Sequence, residues 1–291
     1  MISSTKEYPI ATLEEYGYRE YRVLKKAFNI LNKILVALII ILLYLPIIII
    51  ALQSVNDTSD LSVFNKFSFN AYIHMFSDRM FANSVKNTLV VTFVSTLIAT
   101  VLGTVVAIGI NSLPPKQRSK IILLNNIPLL NADIVTGISL MLVFSLLLPI
   151  APYVFGLPTL ILAHVFFTLP YVILSVLPKL KEMDPNMMDA ATDLGVRPYV
   201  ALVKVIVPAI KSGIFSGMLL AFTMSIDDFV VSYFTTGNGF DNLSIWIYGS
   251  IGRKSLDPAV YAFSTTLTIV TFLVLMAIYY IGTKRGNKNH A

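Results

Sequence analysis

The sequence has no cysteine. Disulfide staples and thiol chemistry are therefore excluded. It also has little charge: Asp, Glu, Lys and Arg make up 13% of 291 residues, against about 25% in a soluble globular chain. The glycine-rich phosphate loop that ends in Lys-Ser or Lys-Thr is missing, so the chain is not expected to hydrolyse ATP itself. Histidine occurs three times, at His74, His164 and His290, with no metal-ligand spacing between them. No metal or other cofactor is expected in this chain. No paired nucleophile and base marks it as a membrane enzyme.

Apolar residues are abundant. They form 56% of the chain, and mean hydropathy is +0.75. A spanning helix needs about 20 mostly apolar residues, and six runs qualify, at about 33–53, 86–110, 125–148, 157–177, 212–236 and 259–282. The fold class that follows is an all-α integral membrane protein of six transmembrane helices. The first run is expected to be retained, not cleaved as a signal. It is too long for a signal core, and 32 residues precede it.

The basic balance is explained by where the charges fall. With six spans both termini share one side. That side holds six Lys and Arg in the N-terminal stretch, three after span two, five after span four and three in the C-terminal tail. The opposite side holds five. Cytoplasmic loops carry the excess of Lys and Arg, so residues 1–32 and 284–291 are expected to be cytoplasmic tails flanking a transmembrane domain at 33–283. The net charge of +6 then needs no nucleic acid to account for it. A short helix lying on the membrane is expected within the outer loop, around FSFNAYIHMF.

The loop 178–211 is long for a connector and reads PKLKEMDPNMMDAATDLGVRPYVALVKVIVPAIKSG across its length and just beyond. Asp184 suits a helix cap, Pro185 a first helical position and Gly195 a left-handed stop. The spacing predicts a helix over about 185–194 and a second one starting at Pro198. Taken alone, this is a surface helical hairpin. The small pair Ala190-Ala191 lets another protein approach closely.

Three acids fall inside the apolar runs: Asp133, Asp227 and Asp228. A carboxylate at a helix centre costs roughly 2.5–3.5 kcal/mol or more, so such residues face a bundle interior or a watery cavity. Neighbouring positions on a helix point about 100° apart. Asp227 and Asp228 therefore cannot both face one path unless the helix breaks between its ends. One lines a path while the other pairs with a basic group or a helix N-terminus, or both serve a contact between subunits. Tyr233 and Phe229 offer aromatic faces to a cation nearby. His164, inside span four, is expected to hydrogen-bond a neighbouring helix. Ser212-Gly213 and Ser216-Gly217 have small-residue spacing that fits packing within the chain as well as a subunit interface.

The stretch Asp189-Ala190-Ala191, three residues, Gly195, nine residues, Val205, one residue, Val207-Pro208 resembles the signature loop of ABC importer permeases. That pattern begins Glu-Ala-Ala and ends Ile, one residue, Leu-Pro. Asp189, Val205 and Val207 are the departures, each within its charge or shape class. The resemblance covers residues 30–283. The segments 81–110, 133–144 and 220–237 are similar to the smaller permease subunit of spermidine/putrescine transporters. This resemblance implies that Asp189, Ala190, Ala191, Asp193, Leu194, Gly195 and Pro208 form a coupling helix that docks on a cytoplasmic ATPase. It further implies a second permease subunit, two ATPase subunits that bind ATP and Mg, and an external substrate-binding protein. The substrate would be a polyamine, with Asp227, Asp228, Asp133, Tyr233 and Phe229 along its path. Alternatives are a related importer for an iron complex or another organic cation, or a secondary carrier exchanging protons at Asp227 or Asp228. Many such carriers are built of repeats, and none is visible in the sequence.

Overall fold

A computed structural model describes residues 10–57, 65–152, 154–184, 186–237, 239–251 and 257–288. In chain order the helices are α1 (Ile10–Ser54), α2 (Asn70–Ser77), α3 (Arg79–Asn111), α4 (Pro115–Leu130), α5 (Asp133–Ser145), α6 (Leu157–Glu182), α7 (Met187–Asp193) and α8 (Pro198–Ala201). A π turn at Leu202–Ile206 follows, then α9 (Val207–Ala209), α10 (Lys211–Ile226), α11 (Val230–Thr235), α12 (Leu243–Gly249) and α13 (Pro258–Lys288). No strand occurs among the described residues. The all-α class is as expected.

The chain forms two compact units. One joins the two ends of the chain, residues 1–75 and 254–291. In it α1 packs against α13, and Ser54 Oγ meets Tyr72 Oη at 2.9 Å. From Lys25 on, α1 is apolar around its whole circumference and exposed throughout most of its length. A helix that is hydrophobic on every face suits lipid.

The other unit, residues 76–253, is built on α3, α6 and α10, which pack on one another. In lipid the apolar side chains gain little from leaving the solvent, so close packing and hydrogen bonds must hold helices together. Glycines supply the closeness. A Cβ on Gly103 would lie 2.8 Å from the Val172 side chain. One on Gly213 would meet the Lys179 side chain at 2.8 Å and the Ser175 carbonyl at 2.9 Å, and one on Gly217 would meet Val172 Cα at 3.0 Å. The Ser-Gly pairs of α10 thus serve packing inside the chain: the glycines are buried on α6 and Ser212 and Ser216 are exposed.

Three helices, Lys25–Ser54, Arg79–Asn111 and Leu157–Glu182, are long and apolar enough to cross a membrane. They coincide with the first, second and fourth expected spans. The third and fifth expected spans are not straight helices. Residues 125–148 are divided at Asn131-Ala132, where both residues are extended, and α4 and α5 meet at 102°. Pro128, in the last turn of α4, has no N–H to give the helix ladder. The run 212–236 is interrupted at Asp227–Phe229, and a 73° bend precedes α10. The expected sixth span lies within α13, whose segment Pro258–Leu273 is apolar. The expected tail 1–32 is helical from Ile10 on.

In the loop after α6 the helix begins later than expected. Asn186, not Asp184, occupies the cap position of α7, and Pro185 lies outside the described residues. The Asp184 carboxylate accepts the Asn186 N–H at 2.9 Å, and its carbonyl accepts the Met187 N–H. The stop is as expected. Gly195 has φ +77. Its N–H donates to Thr192 O at 2.9 Å, and the Val196 N–H donates to Ala191 O at 3.1 Å. These two bonds are the paired closure of a Schellman motif. Downstream, the Val207 N–H reaches back five residues to Leu202 O, next to Pro208, which cannot donate.

The charge distribution makes a topological prediction. Cysteines placed at the exposed positions Ser112 and Asn186 are expected to react with a membrane-impermeant thiol reagent only from the cytoplasmic side. A cysteine at exposed Lys66 should react only from outside. Labelling of intact cells and of inverted vesicles checks this, and outside labelling at Asn186 overturns it.

Candidate functional site: a cavity lined by three carboxylates

The two helix breaks bring the intramembrane acids together. Asp133 is the first residue of α5, and Asp227 and Asp228 stand in the gap between α10 and α11. All three line one cavity of about 320 Å³, with Phe229, Phe167 and Tyr171 among its aromatic walls. That size is within the range of small-molecule sites. Among the described residues no Lys, Arg or His lines it.

The two adjacent acids have different work. The Asp228 carboxylate accepts the N–H groups of Val231 at 3.3 Å and Ser232 at 2.8 Å, and the Ser232 hydroxyl at 2.8 Å. Val231 and Ser232 are the second and third residues of α11. Asp228 therefore supplies the side-chain cap that the cap residue itself, Phe229, cannot. Its side chain is only 10% exposed. Asp227 is exposed to the cavity, and its carboxylate makes no hydrogen bond or ion pair among the described residues. The same is true of Asp133.

A buried network holds the cap in place. Ser232 Oγ–H donates to Asp228, so His164 Nε2, 2.9 Å away, must donate to Ser232 Oγ. Asn242 Nδ2 donates to the same oxygen at 2.8 Å. The Asn242 amide cannot be turned round, because its Oδ1 accepts the Ile245 N–H at 2.9 Å as the cap of α12. On the far side of the ring, His164 Nδ1 meets Ser225 Oγ at 2.7 Å, and Ser225 meets Ser95 of α3 at 3.2 Å. His164 is 1% exposed. One imidazole thus ties α6 to α10 and α11, the helix-to-helix bonding expected of it.

Phe229 is in the cavity wall as expected, but Tyr233 is not. It lines a neighbouring cavity toward the other end of α11. The two rings are nevertheless in contact, with centroids 5.5 Å apart, and Tyr248 lies 4.9 Å from Phe229 and 5.6 Å from Tyr233. Ser225, Ser232, Asn242 and Tyr171 were not anticipated. One signal was available: Ser232 follows Asp228 by four residues, the spacing at which helical side chains meet.

In the loop, Asp189, Ala190, Asp193, Gly195 and Pro208 are exposed, and Leu194 is 84% exposed. Ala191 differs from the expectation of a docking residue. It is buried, and its carbonyl accepts the Val196 N–H, so its part is to close α7 on its own chain.

A chain with broken apolar helices around an acidic cavity and a capped helix in a long loop is a transport subunit of membrane type. The chain belongs to the binding-protein-dependent transport system inner membrane component family, whose profile matches residues 100–286. It is a multi-pass membrane protein. It is similar to the spermidine/putrescine transport system permease protein PotC of Haemophilus influenzae, 31% identical over 246 residues, which covers 84% of this chain and 93% of the relative. The PotC protein of Escherichia coli is 28% identical over 85% of this chain and 92% of its own length. The putrescine transport system permease protein PotI of Escherichia coli is 29% identical over 82% of this chain and 86% of its own. Among solved structures, the fold is similar to a chain of a bacterial ABC transporter involved in import of the acidic polysaccharide alginate. The TM-score is 0.67 at 16% identity, covering 95% of this chain and 99% of that one. A chain in the complex of the alginate transporter with its pentasaccharide-bound periplasmic protein gives 0.61 at 18% identity, covering 90% and 95%.

The division of labour between the acids is testable by thermal unfolding of the purified complex in mild detergent. Asp228→Ala is expected to cost about 1 kcal/mol, the worth of a helix cap, and Asp228→Asn much less, because Asn caps nearly as well. His164→Phe should cost more, about 1–3 kcal/mol, by removing one buried hydrogen-bond partner from each of Ser225 and Ser232. Asp227→Asn should leave the midpoint unchanged.

Proposed function

We propose that this chain is the membrane-spanning permease subunit of an ATP-driven importer of polyamines. It forms half of the translocation path and couples that path to a cytoplasmic ATPase. The observation that carries this reading is the cavity of three carboxylates, two of them with no hydrogen bond or ion pair, and no basic side chain in its wall, among the described residues. Carboxylates within the membrane are costly and face a bundle interior or a watery cavity. A cationic guest removes that cost by supplying the missing charge. A polyamine is a chain of ammonium groups joined by short methylene runs. Its charges suit the acids, and its methylenes and ammoniums both suit the aromatic faces of Phe229, Phe167 and Tyr171. The names of the PotC and PotI relatives support the same substrate class.

In this reading the chain crosses the membrane six times with both termini in the cytoplasm. The break at Asp227–Phe229 lets irregular backbone line a cavity, the one place where the membrane interior tolerates it. Asp227 and Asp133 replace part of the polyamine's hydration. Asp228 holds the geometry and adds its charge from behind. Two acids in loose contact serve passage better than a tight cage, because the cation must also leave. The path is completed by a second permease subunit, and an external binding protein delivers the substrate. Two ATPase subunits bind the ATP and Mg, and this chain contributes no cofactor site. α7 docks on the ATPase through Asp189, Ala190, Asp193 and the exposed Leu194, at an angle fixed by the Gly195 stop, with Pro208 in the following segment.

Two experiments test this. First, in the assembled transporter, Asp227→Asn and Asp133→Asn are expected to preserve assembly, and at least one should cut spermidine or putrescine uptake about tenfold, or about 1.4 kcal/mol in the transport barrier. Normal uptake by both single variants and the double variant sinks the cation-path role. Loss of uptake only because the second subunit no longer co-purifies assigns the acids to a contact between subunits. Second, Gly195→Val places a β-branched residue at φ +77, a conformation that glycine adopts freely and valine does not. A Cβ there meets nothing within 4 Å, so the effect is conformational, not steric crowding. Gly195→Val should insert normally and lose both transport and substrate-stimulated ATP hydrolysis, while Gly195→Asn, a residue that tolerates the left-handed region, retains most of both. Intact stimulated hydrolysis in Gly195→Val refutes the coupling role.

A further inference from the structure

α11 has a cavity at each end. Val230 and Val231 at its start line the three-acid cavity. Tyr233, Phe234 and Thr236 toward its end line a second and larger one, about 800 Å³. Six helical residues span about 9 Å. The second cavity also has one acid, Asp241, and a third ring, Phe155.

The position of Asp241 is fixed from both sides. Its carbonyl accepts the Asn87 Nδ2–H of α3 at 2.9 Å. The next residue, Asn242, is 3% exposed and is held by Ser232 and the α12 N-terminus. The wall opposite is equally constrained. Gly237 has φ +71, and a Cβ there would lie 2.5 Å from Phe155 Cβ, so the loop carrying Phe155 is pressed against the end of α11. Between these fixed points the Asp241 carboxylate makes no hydrogen bond or ion pair among the described residues. Among the described residues no Lys, Arg or His lines this cavity either. Tyr233 is 48% exposed, with its ring set edge-on to Phe234 at 5.6 Å and 87°.

We propose that the cavity of Asp241, Tyr233, Phe234 and Phe155 is a second organic-ammonium site, a receiving station on the path outside the three-acid cavity. The proposal rests on the polyamine reading above and adds a subsite to it. The Phe229–Tyr233 ring contact joins the stations, since Phe229 lines the inner cavity and Tyr233 the outer one. An ammonium held at Asp241 by charge and at Tyr233 by its ring face passes along an aromatic surface to Asp227. In the topology above, the outer cavity opens toward the side from which a binding protein delivers substrate.

The absence of cysteine from this chain gives a direct binding readout. Ser145→Cys places one thiol in the wall of the outer cavity. In the assembled transporter, with cysteines of the other subunits removed, spermidine is expected to slow modification of that thiol by an impermeant cationic methanethiosulfonate about fivefold, the worth of one partly exposed ion pair. Adding Asp241→Asn should abolish the protection, and Asp241→Glu should restore it. Adding Asp227→Asn should leave it in place, even where uptake is lost. Protection that survives Asp241→Asn, or that vanishes with Asp227→Asn alone, overturns the outer site and leaves the inner reading standing. Absence of spermidine and putrescine uptake by the transporter with all its native acids overturns both.

Discussion

Three hydrogen bonds at the carboxylate of Asp228 organise the membrane core. The free N–H groups at a helix start need partners, and lipid offers none. By accepting from Val231 and Ser232, Asp228 lets α11 begin anew within what would otherwise be one continuous span. Everything at the site follows from that restart. The gap frees Asp227 from the helical direction it would have shared with neither partner, and turns it to the cavity. The restart sets α11 against α5, where Gly137 would put a Cβ 3.0 Å from the Phe234 ring. That contact brings Asp133 to the same space. One acid spends its hydrogen bonds on backbone, so the other two remain available.

The network behind Asp228 explains why the break is stable. His164, Ser225, Ser232 and Asn242 are each at most 3% exposed, and each polar atom that meets Asp228's neighbourhood has a partner of the right sense. A fully satisfied buried network rigidifies and specifies one arrangement, while a partly satisfied one costs the desolvation of each orphan. Here the bonds run from α3 through Ser95 to α12 through Asn242. The geometry of the acid cavity is thus braced in part by polar contacts to α3 and α12, which contribute no residue to its lining.

Much of this was legible in the sequence, and the rest was hidden for physical reasons. Hydropathy found the three helices long and apolar enough to cross a membrane among the described residues, because lipid imposes its demand residue by residue. The Gly195 stop was legible, since few residues accept positive φ. The break between Asp227 and Phe229 was visible only as a conflict, two acids that one helix cannot turn the same way. The division at Asn131-Ala132 was missed. Pro128 marked the neighbourhood, but prolines are tolerated inside spanning helices, so Pro128 could not be told from Pro46 of α1, which leaves its helix unbroken. His164's partners lie 61 and 68 residues away, and no local pattern points to them. Asp184 was read as the cap because it precedes a proline, yet the turn it makes passes the cap position on to Asn186.

The placement of Tyr233 carries the last step. As a companion of Phe229 one helical turn on, it was expected to share the acid cavity. The helix restart changes what that spacing means. Phe229 stands before α11 and turns inward, and Tyr233 stands within it and turns to the other cavity, although the two rings stay in contact at 5.5 Å. A cation attracted to ring faces would therefore meet rings in contact, with a carboxylate at each end that has no partner among the described residues, Asp241 at one and Asp227 at the other. Fixed acids at intervals divide one high barrier for an ion in low dielectric into several lower ones. A guest with several charges along its length suits such an arrangement better than a single compact ion, because it can hold the next acid before it leaves the last.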